Sequence, residues 1–173
     1  MEKQFKMKNQ KIEIHYIEFE SLEELTTNDA YLVAKAREAS NSAWAPYSGF
    51  NVGAVVQLEN GEIVSGNNQE NAAYPSGLCA ERVALFAANA NFPDLAVEIM
   101  AVSAHTKSGL VTENVKPCGS CRQAMMESEI RFEKPIRLIL DSASKILVIE
   151  GIRNLLPLSF GKDDLFKNNS SNL

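Results

Sequence analysis

The chain has 173 residues, of which 45% are hydrophobic and 23% charged, and its formal net charge is −5. This length and balance fit one domain with a full apolar core. The negative charge argues against a nucleic acid polymer as partner, because phosphate contacts require basic residues. No apolar run approaches the roughly 20 residues that a membrane span needs, and the basic N-terminus lacks the apolar run of a secretory signal.

The first predicted elements are an edge strand and a helix. Apolar and polar residues alternate in part over 12–19, which favours an extra strand within an N-terminal extension of residues 1–25. The helix-start signal of residues 26–29, Thr-Thr-Asn-Asp, predicts a helix over 30–43.

A hairpin and a second helix follow. Residues 50–58 and 63–66 are predicted strands, and the Asn60-Gly61 dipeptide lies between them. Asn-Gly between apolar runs predicts a tight turn in which both central residues have positive φ. A helix is then predicted over 79–91, ending before Pro93.

The rest of the chain again alternates strands and helices. A buried strand over 97–104 and a long loop precede a helix over 118–129. Two short strands, 136–140 and 146–149, precede a final helix over 152–156. This order predicts an α/β protein, a three-layer α/β/α sandwich around one mixed sheet of about five strands. The domain is expected to span 26–166, and residues 167–173 form a tail that we expect to be disordered.

The cysteines are the most informative residues, and the chain has three of them. Cys79 opens one predicted helix, whereas Cys118 and Cys121 open another, three residues apart. Sulfurs at that spacing can point at one spot, and Cys79 can complete a triangle. Zinc takes four ligands, so three protein ligands leave one position for water, as in a catalytic site.

Other readings of these residues remain open from spacing alone. A Cys-x-x-Cys pair is also typical of a thiol-redox motif, and an isolated Cys79 is typical of a small buried hydrophobe. A structural zinc site needs a fourth ligand. His15 and His105 are the only histidines, and neither has ligand spacing to a cysteine.

Glu81 favours the catalytic reading. It lies two residues after Cys79, in the first helical turn, where a carboxylate can shuttle protons for a metal-activated water. Alone, it would be explained by the helix dipole. Three cysteines around it make the proton shuttle the better interpretation.

These motifs resemble those of the zinc-dependent cytidine deaminases. Cys-Ala-Glu-Arg at 79–82 and Pro-Cys-Gly-Ser-Cys-Arg-Gln at 117–123 match that family's metal signature. Three further segments, 45–54, 66–75 and 155–161, resemble its first, substrate and C-terminal blocks. The likeness covers nearly the whole fold.

The resemblance implies a reaction and roles for the metal-site residues. Cys79, Cys118 and Cys121 would hold one zinc ion with water as fourth ligand. Glu81 would take a proton from this water and deliver it to N3, hydroxide would attack C4, and ammonia would leave. The products of cytidine and 2′-deoxycytidine would be uridine and 2′-deoxyuridine, as in pyrimidine salvage. Arg82 would offset the excess negative charge of three thiolates.

The resemblance also implies substrate contacts and an assembly. Asn68 and Glu70 would bind ribose hydroxyls, and Phe50 would pack on the base. Tyr74 and Phe160 would reach a neighbouring subunit's pocket in a cytoplasmic homotetramer. The full implied set of substrate-binding residues is Phe50, Asn68, Glu70, Asn71, Ala72, Tyr74, Ala80 and Phe160.

Two alternatives stay open. One is a deaminase of a related nucleoside, such as an antibiotic of the blasticidin type. The other is a non-catalytic zinc or thiol module. Asn51, Ala73 and Val83 depart from the family's usual residues, but none of them replaces a ligand or the acid/base.

Overall fold

The computed structural model describes residues 8–166. The predicted tail at 167–173 and the first part of the predicted extension, residues 1–7, lie outside the described residues.

A mixed β-sheet of seven strands runs through the described part of the chain. In space the strands follow the order β1-β7-β6-β4-β2-β3, and β5 pairs only with β4. The β4–β6 pair is parallel and the other pairs are antiparallel. The strands are β1 (Ile17–Phe19), β2 (Asn51–Leu58), β3 (Ile63–Asn67), β4 (Val97–Thr106), β5 (Gly109–Leu110), β6 (Arg137–Leu140) and β7 (Ile146–Glu150).

Helices cover both faces of this sheet, as the sequence predicts. They are α1 (Thr27–Ser40), α2 (Ala80–Asn91), α3 (Gly119–Phe132) and the short α4 (Lys162–Phe166). Leu32, Val33 and Ala36 of α1 form a core with one sheet face. Leu85 of α2 and Met125 of α3 belong to the core on the other face. The three-layer α/β/α architecture is therefore confirmed.

The predicted count of about five strands is too low. Within the predicted 12–19 strand, only Ile17–Phe19 forms a ladder, antiparallel to β7. The other additional strand, β5, lies in the segment predicted as a long loop and is two residues long. Such a short strand carries no periodic signal, because alternation needs at least four residues to be recognised.

The β2–β3 hairpin forms as predicted, but its turn geometry differs. Gly61 has φ of +87°, whereas Asn60 has no positive φ. Gly61 N–H donates to Leu58 O at 2.8 Å, and Leu58 N–H donates to Glu62 O at 2.9 Å. This pattern is a four-residue turn closed by a left-handed glycine, so the loop has three residues rather than two.

Two glycines let helices approach the sheet closely. A Cβ on Gly53 of β2 would lie 2.1 Å from Ala36 O of α1, and a Cβ on Gly66 of β3 would lie 2.4 Å from Ala84 N of α2. Both distances are far inside van der Waals contact. Glycine at these positions therefore fixes how α1 and α2 pack on opposite faces.

The C-terminal part differs from its prediction. The segment predicted as a helix over 152–156 is a 3-10 turn over Ile152–Asn154, and α4 was not predicted. No helix within residues 8–166 is both long and apolar enough to cross a bilayer.

Candidate active site

The three cysteine sulfurs meet between the N-terminal ends of α2 and α3. Cys79 is the N-cap residue of α2, and Cys118 is the N-cap residue of α3. Cys121 lies in the first turn of α3 and is fully buried. Both helix ends therefore present free N–H groups and positive dipole ends near the sulfurs, which favours thiolates.

The sulfur triangle has the dimensions of a zinc site. Cys118 Sγ lies 3.5 Å from Cys121 Sγ and 3.8 Å from Cys79 Sγ, and all three sulfurs are within 4.8 Å of one another. Zinc–sulfur bonds of about 2.3 Å in a tetrahedron place sulfurs about 3.8 Å apart. Zinc therefore fits these residues. Within residues 8–166, no histidine or carboxylate joins this group, so one position of a four-coordinate ion is left for a non-protein ligand.

Arg82 contacts this triangle from one side. Its Nη2 lies 3.8 Å from Cys79 Sγ, and its Nε is buried without a hydrogen-bond partner. A hydrogen bond from Cys121, together with the Arg82 guanidinium, lowers the pKa of Cys79 to about 5. The same hydrogen bond to Cys79, together with burial of the thiol, raises the pKa of Cys121. The cluster thus favours negative charge on the sulfur that Arg82 contacts.

Glu81 lies beside the cysteines and is itself shielded from water. It belongs to the first turn of α2 and is 5% exposed. Burial raises the pKa of its carboxyl group, and the nearby Cys79 adds to this. A carboxyl group whose pKa is raised both accepts and returns protons more readily near neutral pH.

A cavity of about 780 Å³ opens over this cluster. Its volume suits a small organic molecule. Most residues expected from the sequence line it, and Cys121 lies outside the lining. The expected residues among its walls are Phe50, Asn68, Glu70, Asn71, Tyr74, Cys79, Ala80, Glu81, Arg82 and Cys118.

Asn68 and Glu70 lie together on the cavity wall, and both are anchored to the backbone. Asn68 Oδ1 accepts from Val52 N–H at 2.7 Å, and Asn68 Nδ2 donates to Phe50 O at 2.9 Å. Glu70 Oε2 accepts from Tyr47 N–H at 2.9 Å and also from Ser48 N–H. The Ser48 hydroxyl donates to Glu70 as well. These bonds lower the pKa of Glu70, chiefly through the Ser48 side chain, so the wall presents an oriented carboxylate.

Two of the expected substrate-binding residues do not line this cavity. Ala72 is exposed and contributes nothing to the wall. Phe160, 58% exposed, lines a separate groove with Phe86 and Arg82. Gln123 Nε2 donates to Phe160 O at 3.0 Å, which ties the C-terminal segment to α3.

Sequence reasoning missed several wall residues. Tyr47 and Ser48 precede the predicted contact Phe50, and Lys116 precedes the Pro-Cys motif. Their closeness in sequence to these motifs is the signal that could have identified them as wall residues. The Tyr47 and Tyr74 rings meet edge to face, with centroids 6.3 Å apart. The missed residues are Tyr47, Ser48, Val52, Gln69, Gly77, Leu78, Val115 and Lys116.

Comparisons with known proteins agree with this geometry. Residues 26–132 match the family model described as the cytidine and deoxycytidylate deaminase zinc-binding region. A cytidine deaminase of Halalkalibacterium halodurans is 44% identical over 56% of this chain and 68% of its own length. One of Sporosarcina psychrophila is 35% identical over 78% of this chain and 92% of its own length.

Solved structures give the same result. The crystal structure of cytidine deaminase from Burkholderia pseudomallei aligns with a TM-score of 0.65 and 34% identity, covering 79% of this chain and all of that one. The cytidine deaminase from Bacillus anthracis, at 16% identity and a TM-score of 0.59, shares the fold.

Proposed function

The chain belongs to the cytidine and deoxycytidylate deaminase family, and from this we propose that the cluster of Cys79, Cys118, Cys121 and Glu81 carries out hydrolytic deamination of cytidine. The activity follows from the curated relatives and solved structures, which are cytidine deaminases. The observation that carries the residue assignment is the sulfur triangle beside a buried carboxylate at the floor of a nucleoside-sized cavity.

The cysteines are the ligands for a zinc ion in this proposal. When bound, zinc supplies a Lewis acid that makes water nucleophilic near neutral pH. Cys79 and Cys118 line the cavity, whereas Cys121 is buried beneath it. The ligand set therefore has an open side that faces the substrate.

Glu81 moves the protons. Its carboxylate takes a proton from the attacking water and delivers it to N3 of the cytosine ring, while the water oxygen bonds to C4. Glu81 then carries the second proton of that water to the amino group. The C4–N4 bond breaks, ammonia leaves, and the products are uridine and ammonia. Burial of Glu81 keeps bulk water from competing for these protons.

The cavity wall binds the nucleoside. Phe50 supplies an aromatic face for the base, and the amide of Asn68 and the carboxylate of Glu70 bind ribose hydroxyls. Both groups keep a free lone pair or N–H after their backbone bonds are counted. We also propose 2′-deoxycytidine as a substrate, because it keeps the 3′-hydroxyl, to which Asn68 and Glu70 can still hydrogen-bond.

Arg82→Ala is expected to weaken zinc binding about 10- to 100-fold, the effect typical of outer partners of metal ligands. Three thiolates and one divalent ion leave an excess negative charge, which the Arg82 guanidinium near Cys79 offsets. Competition with a zinc-binding dye measures the affinity. Arg153→Ala, which removes an exposed arginine beside the C-terminal end of α3, is the control. Unchanged zinc affinity and turnover in Arg82→Ala would show that Arg82 is an ordinary surface charge.

A homotetramer in the cytoplasm completes the proposal. Tyr74 is 76% exposed, Leu158 94% and Phe160 58%, and such aromatic and aliphatic exposure favours burial by neighbouring subunits. Sedimentation is expected to give the mass of four chains, and a monomer at all concentrations would contradict it. Ligand thiolates also need a reducing compartment, which fits cytoplasmic pyrimidine salvage.

A further inference from the structure

Asn51 lies behind the cavity wall rather than in it. Its chain neighbours Phe50 and Val52 both line the cavity. Because side chains alternate along a strand, Asn51 points to the opposite face of the sheet. Gly53, which shares this face, lies directly against α1. The Asn51 side chain therefore faces the layer of α1.

A chain of hydrogen bonds connects Asn51 to the end of α1. The Ser40 hydroxyl donates to Arg37 O at 2.7 Å and lies 2.8 Å from His105 Nδ1. Since the Ser40 proton is already used, His105 Nδ1–H must donate to Ser40 Oγ. The other ring nitrogen, His105 Nε2, is then an acceptor, and Asn51 Nδ2 lies 3.3 Å from it.

The backbone on either side of Asn51 holds Asn68. Val52 N–H donates to Asn68 Oδ1 at 2.7 Å, and Phe50 O accepts from Asn68 Nδ2 at 2.9 Å. Asn51 is the single residue between these two anchor points. Its placement therefore fixes the plane of the Asn68 amide in the cavity wall.

We infer that His105 is a positioning residue for nucleoside binding: its Nε2 acceptor holds the Asn51 amide and, through the Phe50–Val52 backbone, orients Asn68. This inference rests on the proposed function, in which Asn68 binds the ribose. His105 does not touch the nucleoside. Its loss therefore acts on ground-state binding and raises KM, while the proton transfers of Glu81 and kcat stay unchanged.

Two amide variants separate the two ends of the His105 ring. His105→Asn retains an amide N–H near the Nδ1 position for Ser40 and loses the acceptor for Asn51. His105→Gln places an amide oxygen near the Nε2 position and retains that acceptor. With cytidine as substrate, His105→Asn is expected to raise KM about three- to tenfold, the equivalent of one neutral hydrogen bond, with kcat within about twofold. His105→Gln is expected to keep KM near the wild-type value.

Asn51→Ala tests the other partner. It is expected to raise KM by a similar factor, and His105→Asn should add little further increase in the Asn51→Ala background. Such non-additivity is the signature of two residues acting through one bond.

Ser103→Ala is the matched control for a merely structural effect. Ser103 is on the same strand and face as His105, and its hydroxyl donates to Asp141, which binds Arg37 of α1. Its removal is expected to lower Tm without changing KM, because this bond reaches the Arg37 side chain and leaves the Ser40, His105 and Asn51 bonds in place.

The outcomes distinguish the inference from the proposed function. The inference is wrong if His105→Asn keeps the wild-type KM. It is also wrong if His105→Gln or Ser103→Ala raises KM as much as His105→Asn does. None of these results affects the proposed turnover of cytidine. A wild-type chain that fails to turn over cytidine would contradict the proposed function, and the inference with it.

Discussion

Glu81→Gln is expected to lower kcat/KM for cytidine by a factor on the order of 10⁴. Glutamine has nearly the same size at this buried position but cannot accept a proton from water or return one to N3 or to the leaving amino group. One general acid–base transfer contributes roughly 10² to 10⁴ in rate, and the proposed mechanism gives Glu81 successive transfers. Zinc content is expected to stay at the wild-type level, since Glu81 is not one of the sulfur ligands.

Loss of cytidine ultraviolet absorbance measures this effect, and mass spectrometry of the metal measures zinc. Glu98→Gln makes the same substitution at an exposed position of β4 and is expected to leave both values unchanged. Turnover near wild type in Glu81→Gln would assign the proton transfers to another group. Loss of zinc together with activity would instead identify Glu81 as a ligand.

Cys118→Ser is expected to yield a folded chain that retains little zinc and loses at least roughly 100-fold in turnover. Cys118 is exposed and is the N-cap residue of α3. Serine is among the preferred residues at that position, so the helix start survives the substitution. The hydroxyl oxygen is a much poorer zinc ligand than a thiolate. Loss of a ligand should cost more than the 10- to 100-fold typical of outer partners.

Zinc per chain after dialysis, together with the circular dichroism spectrum, tests this expectation. Ser120→Ala is the matched control, because Ser120 is exposed in the same turn and supplies no sulfur. Stoichiometric zinc and wild-type turnover in Cys118→Ser would remove Cys118 from the ligand set. A lost helical spectrum would assign the effect to folding, and Cys118→Ala would then show whether any zinc is retained.

The cysteine cluster was predictable because its residues lie in two short sequence motifs. Cys79 and Glu81 are two residues apart at one helix start, and Cys118 and Cys121 are three apart at another. Helix geometry decides which atoms share a side within each helix, and the resemblance of both motifs to one family indicates that the two helix starts meet. The three-layer fold was predictable for a similar reason, since alternating helices and apolar runs leave few arrangements of a sheet.

Long-range contacts set the limit of prediction. The two backbone bonds of Asn68 reach Phe50 and Val52 across the β2–β3 hairpin, and no local pattern marks them. Lys116 lines the cavity from the loop before α3. Nothing in the sequence spacing relates His105 to Asn51, whose side chains meet because β2 and β4 pair in that register.

The predictions of the hairpin turn and of the short strand β5 were wrong for a different reason. Asn60-Gly61 is compatible with a two-residue or a three-residue loop. The observed register of β2 against β3 corresponds to the three-residue loop. The strand β5 is too short to show a period. Its ladder position depends on β4, which supplies the hydrogen-bonding edge.

Identification of the products formed from cytidine by purified chain of known zinc content is the decisive measurement for zinc-dependent deamination by this chain. We expect uridine and ammonia in equal amounts, with a rate proportional to bound zinc at up to one ion per chain. Zinc bound at one ion per chain without turnover of cytidine or 2′-deoxycytidine would contradict it.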